Sequence, residues 1–195
     1  MIPMERSLKR EQREENILLS LRKLDYLSRS QLQTLHGLGS DRNARKVLQS
    51  MEEYLSSFRD GEKIYYLNKA GRERVQCRKL RKKTTQVRHY IMRNDLYIAF
   101  GNPFSWKNEV KFGIEDVAFV IADAVFERDG IYHAVEVDHT QKMSKNRTKI
   151  EKYRKLSKVT SFKLIWITTT DYRRKQLLKM CEGLDVTVFT AADFH

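Results

Sequence analysis

Three acidic residues in the second half of the chain, Asp123, Glu136 and Asp138, have the spacing of a site that could act on phosphodiesters. Two β-type runs, 121–127 and 131–138, flank Arg128-Asp129-Gly130, and Asp-Gly is a preferred dipeptide of tight hairpin turns. A two-residue turn there sets Asp123 opposite Glu136, with Cβ atoms about 5 Å apart. Asp138 falls on the same side as Glu136, because side chains alternate along a strand. Like charges this close destabilise a sheet unless something offsets them. One offset is Mg²⁺ or Mn²⁺, a hard cation that these oxygens would ligate and that would activate water against a phosphodiester. Two plainer readings stand beside it: a solvated sheet face with spaced acids, or a structural network in which lysines partner the acids. The following helix supplies those lysines, since Lys142, Lys145, Lys149 and Lys152 form one stripe beside Ile150, Tyr153 and Leu156. Each could instead hold phosphate.

A second set of candidates, Arg42, Arg45, Lys46 and Gln49, lies nearer the start. Ala44, Val47, Leu48, Met51 and Leu55 recur at helical offsets, which predicts a third helix apolar on that face. The four polar residues fall on the opposite face at about 100° per residue. Bidentate donors on an otherwise apolar-backed helix suit base edges and phosphates of a major groove, although a merely solvated face has the same pattern. The flanking elements favour the first reading. Ile17, Leu18, Leu21 and Leu24 predict a first helix ending near Lys23, Ser28 caps a second through about Leu35, and Gly37 and Gly39 mark the turn before Ser40 or Asp41 caps the third. Residues 57–67, with Asp60-Gly61 before Ile-Tyr-Tyr-Leu, read as a hairpin, and residues 68–75 resume as helix. Three helices followed by a hairpin make a winged helix-turn-helix, its wing carrying Arg59 and Lys63. The densest basic run, 78–83, adds Arg81 and Lys82, either as phosphate contacts or as a plain flexible joint.

The composition suits such a protein. The chain has 195 residues, 38 Lys+Arg against 25 Asp+Glu, and a formal charge of +13, a field that draws polyanions. Residues 1–83 hold 20 basic and 11 acidic residues (+9), leaving 18 and 14 (+4) for the rest. Cys77 and Cys181 stand alone, which argues against a disulfide framework or structural zinc and fits a reducing cytoplasm. The start, Met1-Ile-Pro-Met-Glu-Arg, has no apolar signal core, and the longest apolar run, 162–169, is too short to span a bilayer. Two domains are expected: 1–83, ending in the basic joint, and 84–195. In the second, residues 84–100 read as a helix, followed by β-β-α-β-α-β with strands at 162–168 and 184–189 and a helix at 171–181. The fold class is therefore α+β: a winged helix-turn-helix, then an α/β layer on a mixed sheet.

The residues also carry two resemblances. Asp123, then Glu136-Val137-Asp138, then a lysine-rich helix resembles the core of the P-D…(D/E)-x-K nuclease superfamily over roughly 105–190, which implies a restriction-endonuclease-like fold with metal on Asp123 and Glu136. This chain has Ala122 in place of the proline and Asp138 in place of the lysine that orients the attacking water. Asp138 would then be a third metal ligand and Lys142 or Lys145 the substitute lysine, or the module would be non-catalytic. Nearly the whole chain, through Ala122-Asp-Ala-Val-Phe, Val135-Glu-Val-Asp-His-Thr140 and Lys149-Ile-Glu-Lys-Tyr-Arg154, is similar to the replication-relaxation family of plasmids and phages. That resemblance implies a role in replication, transfer or transcriptional control of mobile DNA. The expected partners are double-stranded DNA, a second copy as a homodimer, and replication or conjugation proteins, with no membrane. A Mg²⁺- or Mn²⁺-dependent endonuclease or nickase and a protein-interaction adaptor are the competing expectations.

Overall fold

Residues 3–194 are described by a computed structural model. Met1 and Ile2, which open the stretch read above as lacking a signal core, lie outside the described residues, as does His195. Helix α1 (Pro3–Leu24) buries Ile17, Leu18, Leu21 and Leu24, the three-and-four spacing seen in the sequence. A short strand β1 (Leu27–Ser28) leads into α2 (Arg29–His36), where Ser28 and Gln31 form a reciprocal capping box. The helix stops at Gly37, whose φ of 55° strains any residue with a Cβ. Ser40 accepts the amide of Asn43 and starts α3 (Asp41–Gln49), which buries Ala44, Val47 and Leu48. The helix is shorter than its apolar period suggests. Met51 and Leu55 still enter the core, but from a turn and from the first residue of β2 (Leu55–Asp60). Strand β3 (Glu62–Leu67) returns antiparallel with Phe58 opposite Ile64 and Arg59 opposite Lys63, and α4 (Lys69–Arg74) follows, capped by Asn68. The sheet order is β1-β3-β2.

The chain divides into two compact units, 1–94 and 95–195. The division falls inside α5 (Val87–Ala99), not in the basic run at 78–83 where the sequence places the joint. Packing explains the shift. Val87 and Ile91 belong to an apolar cluster with Tyr26 and Ile64. The Asn94 side chain donates to the carbonyls of Leu24 and Tyr26, and the fully buried Arg93 pairs with Asp25. The basic run is also no free linker. Arg81 and Lys79 reach the 2%-exposed Asp25, and the Tyr26 hydroxyl donates to the carbonyl of Lys82. Arg81 is thereby spent on holding the first unit together, while the Lys82 side chain remains exposed.

The second unit is built on a five-stranded mixed sheet, order β4-β5-β6-β7-β8. Strands β4 (Lys107–Ile114), β5 (Ala118–Arg128) and β6 (Ile131–Asp138) are antiparallel, and β7 (Lys163–Thr168) and β8 (Val186–Thr190) extend the sheet in parallel. The parallel connections run through α6 (Met143–Ser157) and α7 (Asp171–Met180). Their buried residues Ile150, Tyr153, Leu156 and Leu177 pack with Ala134, Leu164, Trp166 and Val188 of the sheet. Strand β4 is absent from the order read in sequence, although the β periodicity begins at Asn108 and Val110, Phe112 and Ile114 alternate with Glu109, Lys111 and Gly113. The fold is thus α+β with one small antiparallel sheet and one mixed sheet. Among the described residues no helix is long and apolar enough to cross a membrane.

Candidate functional site

The β5–β6 register follows the Asp129-Gly130 turn as expected, with Arg128 opposite Ile131 and Ala124 opposite Val135. Past Ala124 the strands part, and the Asp123 carboxylate accepts the amide of Val137 at 2.7 Å. This fork holds Asp123 near Glu136, which is 1% exposed. Glu136 accepts from the Tyr153 hydroxyl at 2.6 Å through one oxygen and from the Lys149 ammonium through the other. Burial, helped by the Asp123 charge, pushes the Glu136 carboxyl up to about 8 against the pull of Lys149 and Tyr153. Burial and the Glu136 charge likewise raise Tyr153.

Asp138, fully buried, belongs to a different network. Arg173 of α7 grips it with both nitrogens, Nε to Oδ2 at 2.7 Å and a terminal nitrogen to Oδ1 at 2.6 Å, while Asn146 and Thr168 donate at 2.8 Å each. Burial alone would raise Asp138, but the bonds from Arg173, Asn146 and Thr168 hold it below the ordinary carboxylate value.

The side chains divide Asp138 from Asp123 and Glu136 instead of gathering the three acids at one point. Among the described residues no three His, Cys, Asp or Glu side chains are placed to hold an ion. Both oxygens of Glu136 and both of Asp138 already accept hydrogen bonds from cations and hydroxyls, so the set does not fit Mg²⁺ or Mn²⁺ as arranged. Lys142, the candidate water-orienting lysine, is the exposed residue before α6, and Lys145 is exposed in its first turn. The lysine that reaches a carboxylate is Lys149, a full turn further on. The lysine–acid network among the sequence readings is the one the side chains make.

Glu136 gives this network a pH signature. Its proton is held more tightly folded than unfolded, so between its ordinary value of 4.5 and about 8 the folded chain binds more protons. Stability accordingly falls as pH rises through that window. In a Glu136→Gln protein this decline should flatten by several degrees of Tm between pH 5 and pH 8, read by circular dichroism melts. Parallel pH profiles for the two proteins would contradict it.

The first unit carries a separate, basic site. A groove of about 650 Å³ lies between α3 and the β2–β3 hairpin, lined by Arg29, Arg45, Gln49, Arg59 and Lys63 together with Glu52 and Glu62. Ser40 capping and the buried Ala44–Val47–Leu48 stripe fix α3 so that Arg42, Arg45, Lys46 and Gln49 are all exposed, with Arg42 and Lys46 outside the groove lining. Arg59 and Lys63 face each other across the hairpin, and the Lys63 ammonium lies 5.4 Å from the Tyr65 ring centre. Arg29 was not among the sequence candidates. It pairs with Asp41 at 3.1 Å, yet its Nε is buried with no hydrogen-bond partner among the described residues. Its position directly after the Ser28 cap was the available signal.

Together these features define a basic α+β protein of two units, one with a cationic groove and one with a buried acid–lysine–arginine network. The chain belongs to the replication-relaxation family, which it matches over residues 18–164. No curated protein and no solved structure matches it.

Proposed function

We propose that the protein binds double-stranded DNA of a plasmid, phage or other mobile element through a winged helix-turn-helix in its first unit and serves that element's replication. The order of three helices, hairpin and closing helix supports the winged-helix reading. Membership of the replication-relaxation family supports the replication role. The observation that carries DNA binding is the groove, where α3 presents Arg45 and Gln49 beside a hairpin with two cations in direct register. Like charges facing across a hairpin are destabilising by themselves, and a phosphate backbone relieves them. Arg29 Nε, buried and lacking a partner, adds a donor to the same groove. We read the second unit as nuclease-like from the order of its strands and helices, and the closing of its acids by Lys149, Tyr153 and Arg173 favours a non-catalytic role.

The test is binding to labelled duplex from the element's replication origin at several salt concentrations. The Arg45→Ala/Lys46→Ala double variant is expected to bind about tenfold or more weakly and to lower the salt slope by about 2. Unchanged affinity and slope would remove the proposal.

A further inference from the structure

On the second unit, a phenylalanine ring of β5 stands half in solvent. Phe119 of β5 is 51% exposed, and Ile121, two residues on, is 54% exposed. Side chains two apart share a face of a strand, so the pair forms a small apolar step. Two ammonium groups from different elements converge on the ring: Lys111 of β4 at 4.3 Å and Lys152 of α6 at 5.6 Å from its centre. Neither lysine has a carboxylate within ion-pair distance among the described residues. Lys145, two turns before Lys152 on α6, is exposed as well.

The strand opposite keeps the ring uncovered. Gly113 faces Phe119 with φ +155°, and a Cβ there would lie 2.2 Å from the Ala118 carbonyl oxygen and 2.6 Å from Phe119 Cα. Only glycine fits, so no cross-strand side chain can shield the ring.

We infer that this face is a platform for single-stranded DNA, stacking an unpaired base on Phe119 and holding the adjoining phosphates with Lys111 and Lys152. An exposed ring bracketed by lysines provides the two things that single-strand recognition needs, a π-face and backbone charge. An ammonium resting on an exposed ring is held more weakly than a stacked base, so the base takes the ring and the ammonium moves to phosphate. A duplex keeps its base faces stacked inside and has no use for the ring. Glu115 and Asp116, in the turn that closes the β4–β5 hairpin, repel a phosphate chain at that end. The strand is directed instead toward the lysines of α6.

The inference does not rest on the duplex-binding groove, and one experiment separates them. Anisotropy of a fluorescein-labelled 15-nucleotide oligo(dT) with the full chain should show Phe119→Ala binding about tenfold or more weakly, with Phe119→Trp restoring affinity. Lys111→Gln/Lys152→Gln should lower the salt slope by about 1.4, at about 0.7 per phosphate contact on single strands. Origin-duplex affinity of Phe119→Ala should be unchanged. The inference is overturned if Phe119→Ala binds oligo(dT) as tightly as the unaltered protein, if oligo(dT) is not bound, or if duplex and oligo(dT) affinities fall together.

Discussion

An Asp25→Ala protein is expected to lose about 3–5 kcal/mol of stability, enough to unfold much of the population of a marginal domain. Asp25 is the anion on which Arg93, Arg81 and Lys79 converge, at 3.3, 2.8 and 3.4 Å. The Arg93 side chain is 1% exposed, so without Asp25 it becomes a buried charge left with the Leu24 carbonyl, the Asn94 side chain and the face of the Tyr90 ring. Asp25 also has φ 73°, a left-handed conformation that Asp tolerates better than Ala. Two further variants divide the loss. Asp25→Gly relieves the backbone strain but not the lost charge, whereas Asp25→Asn keeps an acceptor and tolerates the same φ. If charge dominates, urea unfolding followed by circular dichroism should place Gly near Ala and Asn well above both. An Ala variant with an unchanged urea midpoint would refute the account.

The second large effect is at Arg173. Replacing it with Ala leaves Asp138, fully buried, with Asn146 and Thr168 as its side-chain donors among the described residues, a predicted loss of about 3 kcal/mol. The estimate is set at the lower end because the Arg173 side chain is 24% exposed and water can partly replace it. The double variant Arg173→Ala/Asp138→Asn removes the stranded charge and should recover part of the loss, so the cycle reports the coupling directly. Purely additive effects in thermal melts would show that the two side chains do not depend on each other. The pair also bears on chemistry. Where a nuclease reading would need a water-orienting lysine, this chain has the Asp138 carboxylate, and Arg173 of α7 neutralises it.

What the sequence reveals here follows how local each determinant is. The α3 stripe and its caps are written within nine residues, and the helix forms where Ser40 and the Ala44 period place it. The β5–β6 register is likewise local, because the Asp129-Gly130 turn sets it. The partners of the acids are not local. Arg173 lies 35 residues from Asp138, and nothing in its helix marks it among neighbouring Arg174 and Lys175. Lys149 stands in a stripe of four lysines, and only the placement of α6 against the sheet selects it over Lys142. Strand β4 was missed for a different reason: Val110, Phe112 and Ile114 do alternate with Glu109, Lys111 and Gly113, but the charges and the glycine lower its β propensity. The basic run misled because dense charge reads as solvated, whereas a single buried aspartate 54 residues earlier draws it in.

Helix α5 has one more consequence, for inheritance. The basic run at 78–83 is where a reader of the gene would cut. A recombinant joined there would inherit the first unit without Val87, Ile91 and Arg93, which complete its own interior. The chain's structural punctuation comes eleven codons later, in the middle of an unbroken helix. A chimera joined at 78–83 should therefore have a first unit with an incomplete interior.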